Sequence, residues 1–243
     1  MIHYHGADIS GGQKEAGKFY KKRDVLISYA RPNQIQVISE ICRSFVLDNG
    51  AFSFWKSNLE TDWNGFYEWI HEWKYHPRFE WFLCPDVIGG NEKENDELIE
   101  QCPMPKHITV PVYHIGENYN RLEKMLSHDY PRIAIGTTPG YGLRSIKFIN
   151  EMRKIFEIVC NNEGVPQVKI HGLRMLDPEI VKAFPFSSCD SADAVIESVF
   201  DYKWTHRYFP KTKSGRAALV ADYLEQTQSP SMYNFKPIQM ELL

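Results

Sequence analysis

Three aspartates stand directly after short apolar runs and are the first candidates for chemistry. Asp48 follows SFVL, Asp86 follows RFEWFLCP, and Asp190 follows FSSC. Histidines end three comparable runs, and they are His5, His114 and His171. Carboxylates in such a set act as nucleophiles, as general acids or bases, or as metal ligands. The residue types therefore indicate either glycosyl transfer through a covalent intermediate or metal-assisted hydrolysis.

Each aspartate also has a purely structural interpretation. Asp48 begins an Asp-Asn-Gly sequence, which favours a turn. Asp86 follows Pro85 and Asp190 ends an apolar run, so each is also a candidate helix cap. The functional interpretation depends on all three aspartates occurring together at the ends of predicted strands.

The elements that must position these side chains alternate between strand and helix. Apolar runs typical of strands occur at about 2–5, 24–30, 44–48, 79–85, 107–114, 132–137, 168–172 and 186–190. Helical periodicity fills most of the intervals, and Asp62 and Asp177-Pro178 are candidate starts of two helices. Alternation predicts parallel strands joined by right-handed crossovers, and eight strands is the number that closes a side-chain-filled barrel.

The sequence therefore predicts the α/β class, with a single-domain (β/α)8 TIM-type barrel over residues 1–230 and a tail over 231–243. In such barrels the carboxyl ends of the strands carry the active site, so the aspartates are expected at one mouth. An open doubly wound sheet is the alternative, and it is less favoured because no G-x-G-x-x-G turn follows the first strand.

Composition narrows the function classes. The net charge of -3 gives no global bias toward nucleic acid, so such a partner needs a local basic patch. No uninterrupted apolar stretch of about 18 residues and no leader pattern is present, which predicts a cytoplasmic protein without a membrane partner. The five cysteines form no C-x-x-C pair, so we expect reduced thiols and no zinc cluster. The glycosyl chemistry considered below needs no bound metal or cofactor.

Two chemistries remain open from the residues alone. A metal-dependent barrel hydrolase would use the H-x-H spacing of His3 and His5, with His114, His171 and Asp190 as further ligands. Glycosyl chemistry would use one carboxylate as the nucleophile and a second group to move the proton, without a metal. Flat side chains suited to stacking on a base are Phe52, Phe54, Trp55, Tyr113 and Tyr141.

Five segments, taken in order, resemble elements of the tRNA-guanine transglycosylase superfamily. LDNGAF (47–52) resembles its D-S-G-G-F element, and PDVIGG (85–90) stands where the superfamily has a base-recognition aspartate. VPVYHIGE (110–117) resembles the V-Q-G-G strand, and IAIGT (133–137) resembles A-V-G-G. HGLRMLDPEIVKAFPFSSCDS (171–191) is similar to a segment of the small phage-type 7-deazaguanine DNA transglycosylases, which ends in Y-S-V-D-S. The resemblance covers roughly residues 44–230.

This resemblance implies a base-exchange reaction. Asp190 would attack C1′ of a deoxyguanosine and expel guanine, and a 7-deazaguanine base resembling preQ0 would then take its place. Asp48 would contact the base and serve proton transfer, Asp86 would bind the guanine edge, and His114 stands near the base-reading Gln. The backbone N–H of Gly136 would bind the base oxygen. The remaining expected substrate-binding residues are Thr137, Phe52 and His171.

The partner expected from the resemblance is DNA. The chain lacks the C-x-C-x-x-C…H zinc subdomain of the tRNA enzymes, which favours the DNA-acting branch. The target guanine must be flipped out or presented single-stranded. Backbone contacts are expected from basic residues interleaved with aromatics, namely Lys203, Arg207, Lys211, Lys213 and Arg216. A solvated charged loop there, a tRNA-acting or base-excising relative, and the metal-dependent hydrolase stay open as alternatives.

Overall fold

A computed structural model describes residues 1–199 and 210–235. Strands in this part of the chain are β1 (Ile2–Gly6), β2 (Asp24–Ser28), β3 (Ser44–Asp48), β4 (Phe79–Leu83), β5 (Thr109–Val110), β6 (Val112–His114), β7 (Arg132–Gly136), β8 (Lys169–Gly172) and β9 (Ser188–Ser191). Helices are α1 (Gly12–Phe19), α2 (Ile35–Ile41), α3 (Ala51–Lys56), α4 (Trp63–Trp73), α5 (Glu92–Glu100), α6 (Tyr119–Leu126), α7 (Ile146–Val159), α8 (Pro178–Ala183), α9 (Asp193–Glu197) and α10 (Lys213–Glu225).

The strands form one sheet in the order β5-β4-β3-β2-β1-β9-β8-β7-β6. Strand pairs with a defined register are all parallel, as in Leu26↔Val46 between β2 and β3. β5 and β6 are separated only by Pro111, which has no N–H to donate to a ladder. They therefore correspond to one predicted strand that a proline divides. β5 and β6 stand at the two ends of the strand order, so the order is that of a TIM-type barrel. The predicted α/β class and (β/α)8 architecture are confirmed.

Two compact units make up the chain. Of the described residues, the first unit comprises 3–82, 190–199 and 210–226, and the second comprises 1–2, 83–189 and 227–235. The first unit therefore holds Asp48 and Asp190, and the second holds Asp86.

Each unit has an aromatic core. In the first unit the Phe66 ring packs at 5.4 Å from Tyr29 and 6.0 Å from Phe82. In the second unit the Phe156 ring stacks on Phe184 at 5.0 Å, and Tyr233 covers both rings. The strands are buried at consecutive positions, as in β2, β3 and β7, and helices such as α4 and α7 add rings from their buried face. Burial of such rings is a principal source of stability.

Polar side chains cap the start of several helices. Asp62 accepts a hydrogen bond from Gly65 N at the start of α4, and Asp177 accepts from Glu179 N and Ile180 N at the start of α8. Both predicted starts are confirmed. The periodicity did not predict α1, α3, α9 or α10, which are short or lack a marked apolar stripe. Asn91 and Glu94 form a reciprocal capping box at α5, which fixes the start of a helix that matters for the site.

All five cysteines are free thiols, as expected from their spacing. Tyr233, in the segment predicted as a tail, is buried and its backbone N–H donates to Gly164 O. Within the described ranges no helix is both long and apolar enough to cross a membrane.

Gly50 permits the turn from β3 into α3, and we predict that Gly50→Ala destabilises the protein. Its φ is +78°, and an added Cβ would lie 2.9 Å from Ala30 N, so both backbone strain and a steric clash oppose the change. The free energy of unfolding should fall by about 2 kcal/mol in urea titrations followed by circular dichroism.

Gly142→Ala is the matched control, because no atom lies within 4 Å of an added Cβ there and its φ is not in the left-handed region. Equal unfolding midpoints for the two variants would contradict the prediction.

Candidate functional site

The second unit brings Asp86 and His114 into direct contact. Asp86 lies three residues after the end of β4, and His114 is the last residue of β6. His114 Nε2 is 2.8 Å from Asp86 Oδ2, and both residues are buried. A buried carboxylate paired with an imidazole at the carboxyl ends of two strands is typical of functional sites in this architecture.

Glu117 holds the other side of the His114 ring. His114 Nδ1 lies 3.3 Å from Glu117 Oε1, and the His114 backbone N–H donates to Glu117 Oε2 at 2.9 Å. Burial alone lowers the pKa of His114, but the hydrogen bonds to Asp86 and Glu117 outweigh it and raise the pKa to about 9. Burial raises the pKa of Glu117, yet His114 and Arg121 bring it below its ordinary value. At neutral pH His114 is therefore an imidazolium that donates from both ring nitrogens.

Gly136 stands beside this pair and leaves room for the ring. It is paired in register with His114, and an added Cβ would lie 3.1 Å from His114 Cδ2. Thr137 is half-buried, and the Thr138 hydroxyl donates to Ile115 O at 2.8 Å. The ends of β6 and β7 are thus held together next to Asp86.

His171 is fully buried in the second unit. Its Nδ1 lies 2.9 Å from Ser188 Oγ, which also accepts from Arg132 Nη1 at 2.8 Å. The register pairs Ala134 with His171 and His171 with Ser188, so these groups lie on one face of β7, β8 and β9. The surroundings of His171 in this structure are thus the polar side chains of neighbouring strands.

The first unit contains Asp190, which is buried inside β9. Asp193, three residues later, is exposed in the first turn of α9, and its backbone N–H donates to Ser191 Oγ at 2.9 Å. The two aspartates of the CDSAD segment therefore have different environments. Asp190 is the residue before the last in β9, next to the strand end where a reacting group is expected, and Asp193 has the position of a helix-starting residue.

Asp48 ends β3 and is half-buried. Its Oδ2 accepts a hydrogen bond from Gly50 N at 3.2 Å, and Asn49 Oδ1 accepts from Ala51 N at 2.8 Å. The turn role considered for this aspartate is thus present in the structure. The turn leads directly into α3, where the Phe52 ring lies 5.6 Å from the ring of Trp55.

The expected nucleic-acid contacts are only partly described. Lys203 and Arg207 lie outside the described residues. Lys211 is exposed, Lys213 begins α10 with a half-buried side chain, and Arg216 is buried within that helix. The described basic surface of this segment therefore comes from the two lysines, and the part from Lys213 onward is helical.

The H-x-H segment has a different setting from the one a metal site requires. His5 Nε2 bonds to Glu225 Oε1 at 2.8 Å, and its ring contacts Phe19, so the side chain faces α10 and α1. Across residues 1–199 and 210–235, no group of three or more His, Cys, Asp and Glu residues is arranged to hold a metal ion.

Comparison of the chain with models of protein families, with curated proteins and with solved structures finds no match. The candidate site is therefore defined by its own geometry.

Three site residues were missed in the sequence, namely Asn95, Glu117 and Arg121. Glu117 ends the VPVYHIGE segment just before α6 and lies four residues before Arg121, so an acidic and a basic side chain meet at the start of that helix. That spacing is a usable signal, whereas nothing in the sequence around Asn95 distinguishes it from a surface residue of α5.

The elevated pKa of His114 makes stability depend on pH, and we predict the sign. Because the folded pKa lies above the ordinary value of 6.5, the stabilisation is complete below about pH 6.5 and is lost as the pH rises through 9. The parent protein should lose on the order of 2–3 kcal/mol relative to His114→Gln between pH 6 and pH 9.5. Urea titrations of both proteins at each pH measure this difference, and a constant difference would contradict the assignment.

Proposed function

We propose that the protein is a base-exchange transglycosylase that replaces guanine in DNA with a 7-deazaguanine base. The observation that carries the proposal is the buried Asp86–His114 pair beside Gly136, at the ends of three strands whose segments resemble that superfamily. The order of the resembling segments along the chain gives further support. No metal takes part in the proposed reaction.

Asp190 is the proposed nucleophile. One of its carboxylate oxygens forms a bond to C1′ of the deoxyribose, the C1′–N9 bond breaks, and the electron pair leaves with guanine. Asp48 is proposed to deliver the proton that the departing guanine takes up and to remove a proton from the incoming base. N9 of the incoming base then attacks C1′ and breaks the ester, so two inversions give net retention.

Asp86 is proposed to read the base. The carboxylate is an acceptor, and guanine presents two adjacent donors, N1–H and the exocyclic amino group. Adenine presents only one donor at the corresponding edge, so an acceptor pair favours guanine and its 7-deaza analogues. A base that lacks one of the two donors would leave a buried acceptor atom without a hydrogen bond, and the cost of that loss makes the discrimination against such a base large.

DNA is proposed to approach with the guanine unstacked, because an enzyme cannot reach C1′ and the base edge inside a duplex. Lys211 and Lys213 are candidate phosphate contacts among the described residues, and the aromatic pair Phe52 and Trp55 is a candidate stacking surface.

The decisive experiment compares the parent protein with Asp190→Asn and Asp193→Asn. Each is incubated with guanine-containing single-stranded and duplex DNA and 7-cyano-7-deazaguanine, and the digested nucleosides are identified by mass spectrometry. The parent and Asp193→Asn should form the modified nucleoside, and Asp190→Asn should form at least 1,000-fold less, as on loss of a nucleophile.

Absence of product with every protein and DNA form would overturn the proposal for DNA. The same assay with tRNA, and a search for abasic sites, would then separate the tRNA-acting and base-excising alternatives. Equal loss in both variants would remove Asp190 from its proposed role.

A further inference from the structure

Glu117 receives hydrogen bonds from three residues on separate segments. Its Oε1 accepts from Asn95 Nδ2 and His114 Nδ1, each at 3.3 Å. Its Oε2 accepts from the His114 backbone N–H at 2.9 Å and from Arg121 Nη1 at 2.5 Å. With only 11% of its side chain exposed, Glu117 has exchanged water for four protein donors. A carboxylate held this completely has one position and one charge state at neutral pH.

The donor residues are themselves fixed. Asn95 is buried in α5, and its Oδ1 accepts from Val87 N at 2.7 Å, which ties it to the residue after Asp86. Arg121 in α6 is buried, donates to Val112 O at 3.1 Å and bonds to Asp96 at 2.7 Å. Glu117 is therefore joined to the segment after β4, to β6 and to both helices α5 and α6.

Charge explains why the arrangement is stable. Negative Asp86, Glu117 and Asp96 alternate with positive His114 and Arg121 along one chain of contacts. Removing one member leaves its neighbour buried without compensation, which is the costly case for a buried ion pair. The His114 proton is thus required by carboxylates on both sides of the ring.

We infer that Glu117 is a positioning residue that keeps His114 doubly protonated and aimed at Asp86, so that Asp86 meets the base only as an acceptor. The inference rests on the proposed function, because the ligand that Asp86 would bind is the base of that proposed reaction. His114 thereby acts on Asp86 and not as the base reader that a Gln at this position would be. The guanine selectivity of the site depends on a residue that does not itself touch the base.

The chemical reason lies in which atoms of Asp86 and His114 carry protons. An imidazolium has two donors and no acceptor, so it can only donate to Asp86. A neutral ring could instead accept from a protonated Asp86, and the carboxyl group would then lose its acceptor-only character. Nδ1 carries a proton in both states, so charge is what separates them: the Glu117 carboxylate beside the ring stabilises the positive imidazolium over the neutral ring.

Glu117→Gln tests the inference, with Glu123→Gln as the matched control on an exposed position of α6. The ring signals of His114, followed by NMR against pH without any substrate, should show its pKa falling from about 9 toward 6.5 only in Glu117→Gln. In exchange of radiolabelled guanine into DNA, KM for guanine should rise roughly tenfold with kcat nearly unchanged. The rise should be larger at pH 8 than at pH 6.5.

A double-mutant cycle with His114→Gln separates positioning from general structural support. If Glu117 acts through His114, adding Glu117→Gln to His114→Gln should change KM by less than about twofold. If Glu117 only supports the fold, the two effects multiply. A multiplicative result, or an unchanged His114 pKa in Glu117→Gln, overturns the inference.

The two proposals fail in different ways. If the His114 pKa falls as expected but no protein exchanges guanine, the coupling stands as a property of the protein and the transglycosylase proposal fails. If exchange occurs and Glu117→Gln leaves both the pKa and KM unchanged, only the positioning role fails. Circular dichroism of each variant identifies unfolding, and Glu117→Asp, which keeps the charge, should partly restore KM if folding of Glu117→Gln is impaired.

Discussion

A charged carboxylate that is removed from water must be met by donors and opposite charge, and Glu117 meets that requirement with four hydrogen bonds. Its four hydrogen bonds connect α5, α6 and β6, and through Asn95 they reach the backbone beside Asp86. The position of Asp86 therefore follows from a balance of charges, and the balance would be lost with any one of its members. The candidate site is as much an electrostatic unit as a steric one.

Much of the fold was predictable because its determinants are local. Eight apolar runs set the strands, and Asp62 and Asp177 set two helix starts through a side chain that bonds a nearby backbone N–H. Division of one strand by Pro111 follows from chemistry visible in the sequence, yet it was not predicted. The helix α10 was missed because its apolar residues make no continuous stripe, so its formation depends on tertiary contacts such as Ser214 N to Glu15.

The site was predictable only in part, for a related reason. The ends of predicted strands identified Asp86 and His114, because a short apolar run that is followed by a polar residue can be read from the sequence. The contact from Asn95 to Glu117 spans 22 positions, and no local rule relates them. Asp48 shows the opposite case, since its turn role was readable from Asp-Asn-Gly alone.

β4 ends at Leu83, three residues before Asp86, so the segment that carries the aspartate has left the regular ladder of the sheet. Its placement depends on side chains from α5 and β6, chiefly Asn95 and His114. A scaffold of this kind is open to evolutionary change, because exchanges at these few side chains would move Asp86 while every strand keeps its partners. Among proteins that share this framework, the sequence differences that move Asp86 would then lie in α5, in α6 and in the turn between His114 and Glu117. The sequences of the barrel strands would remain nearly constant.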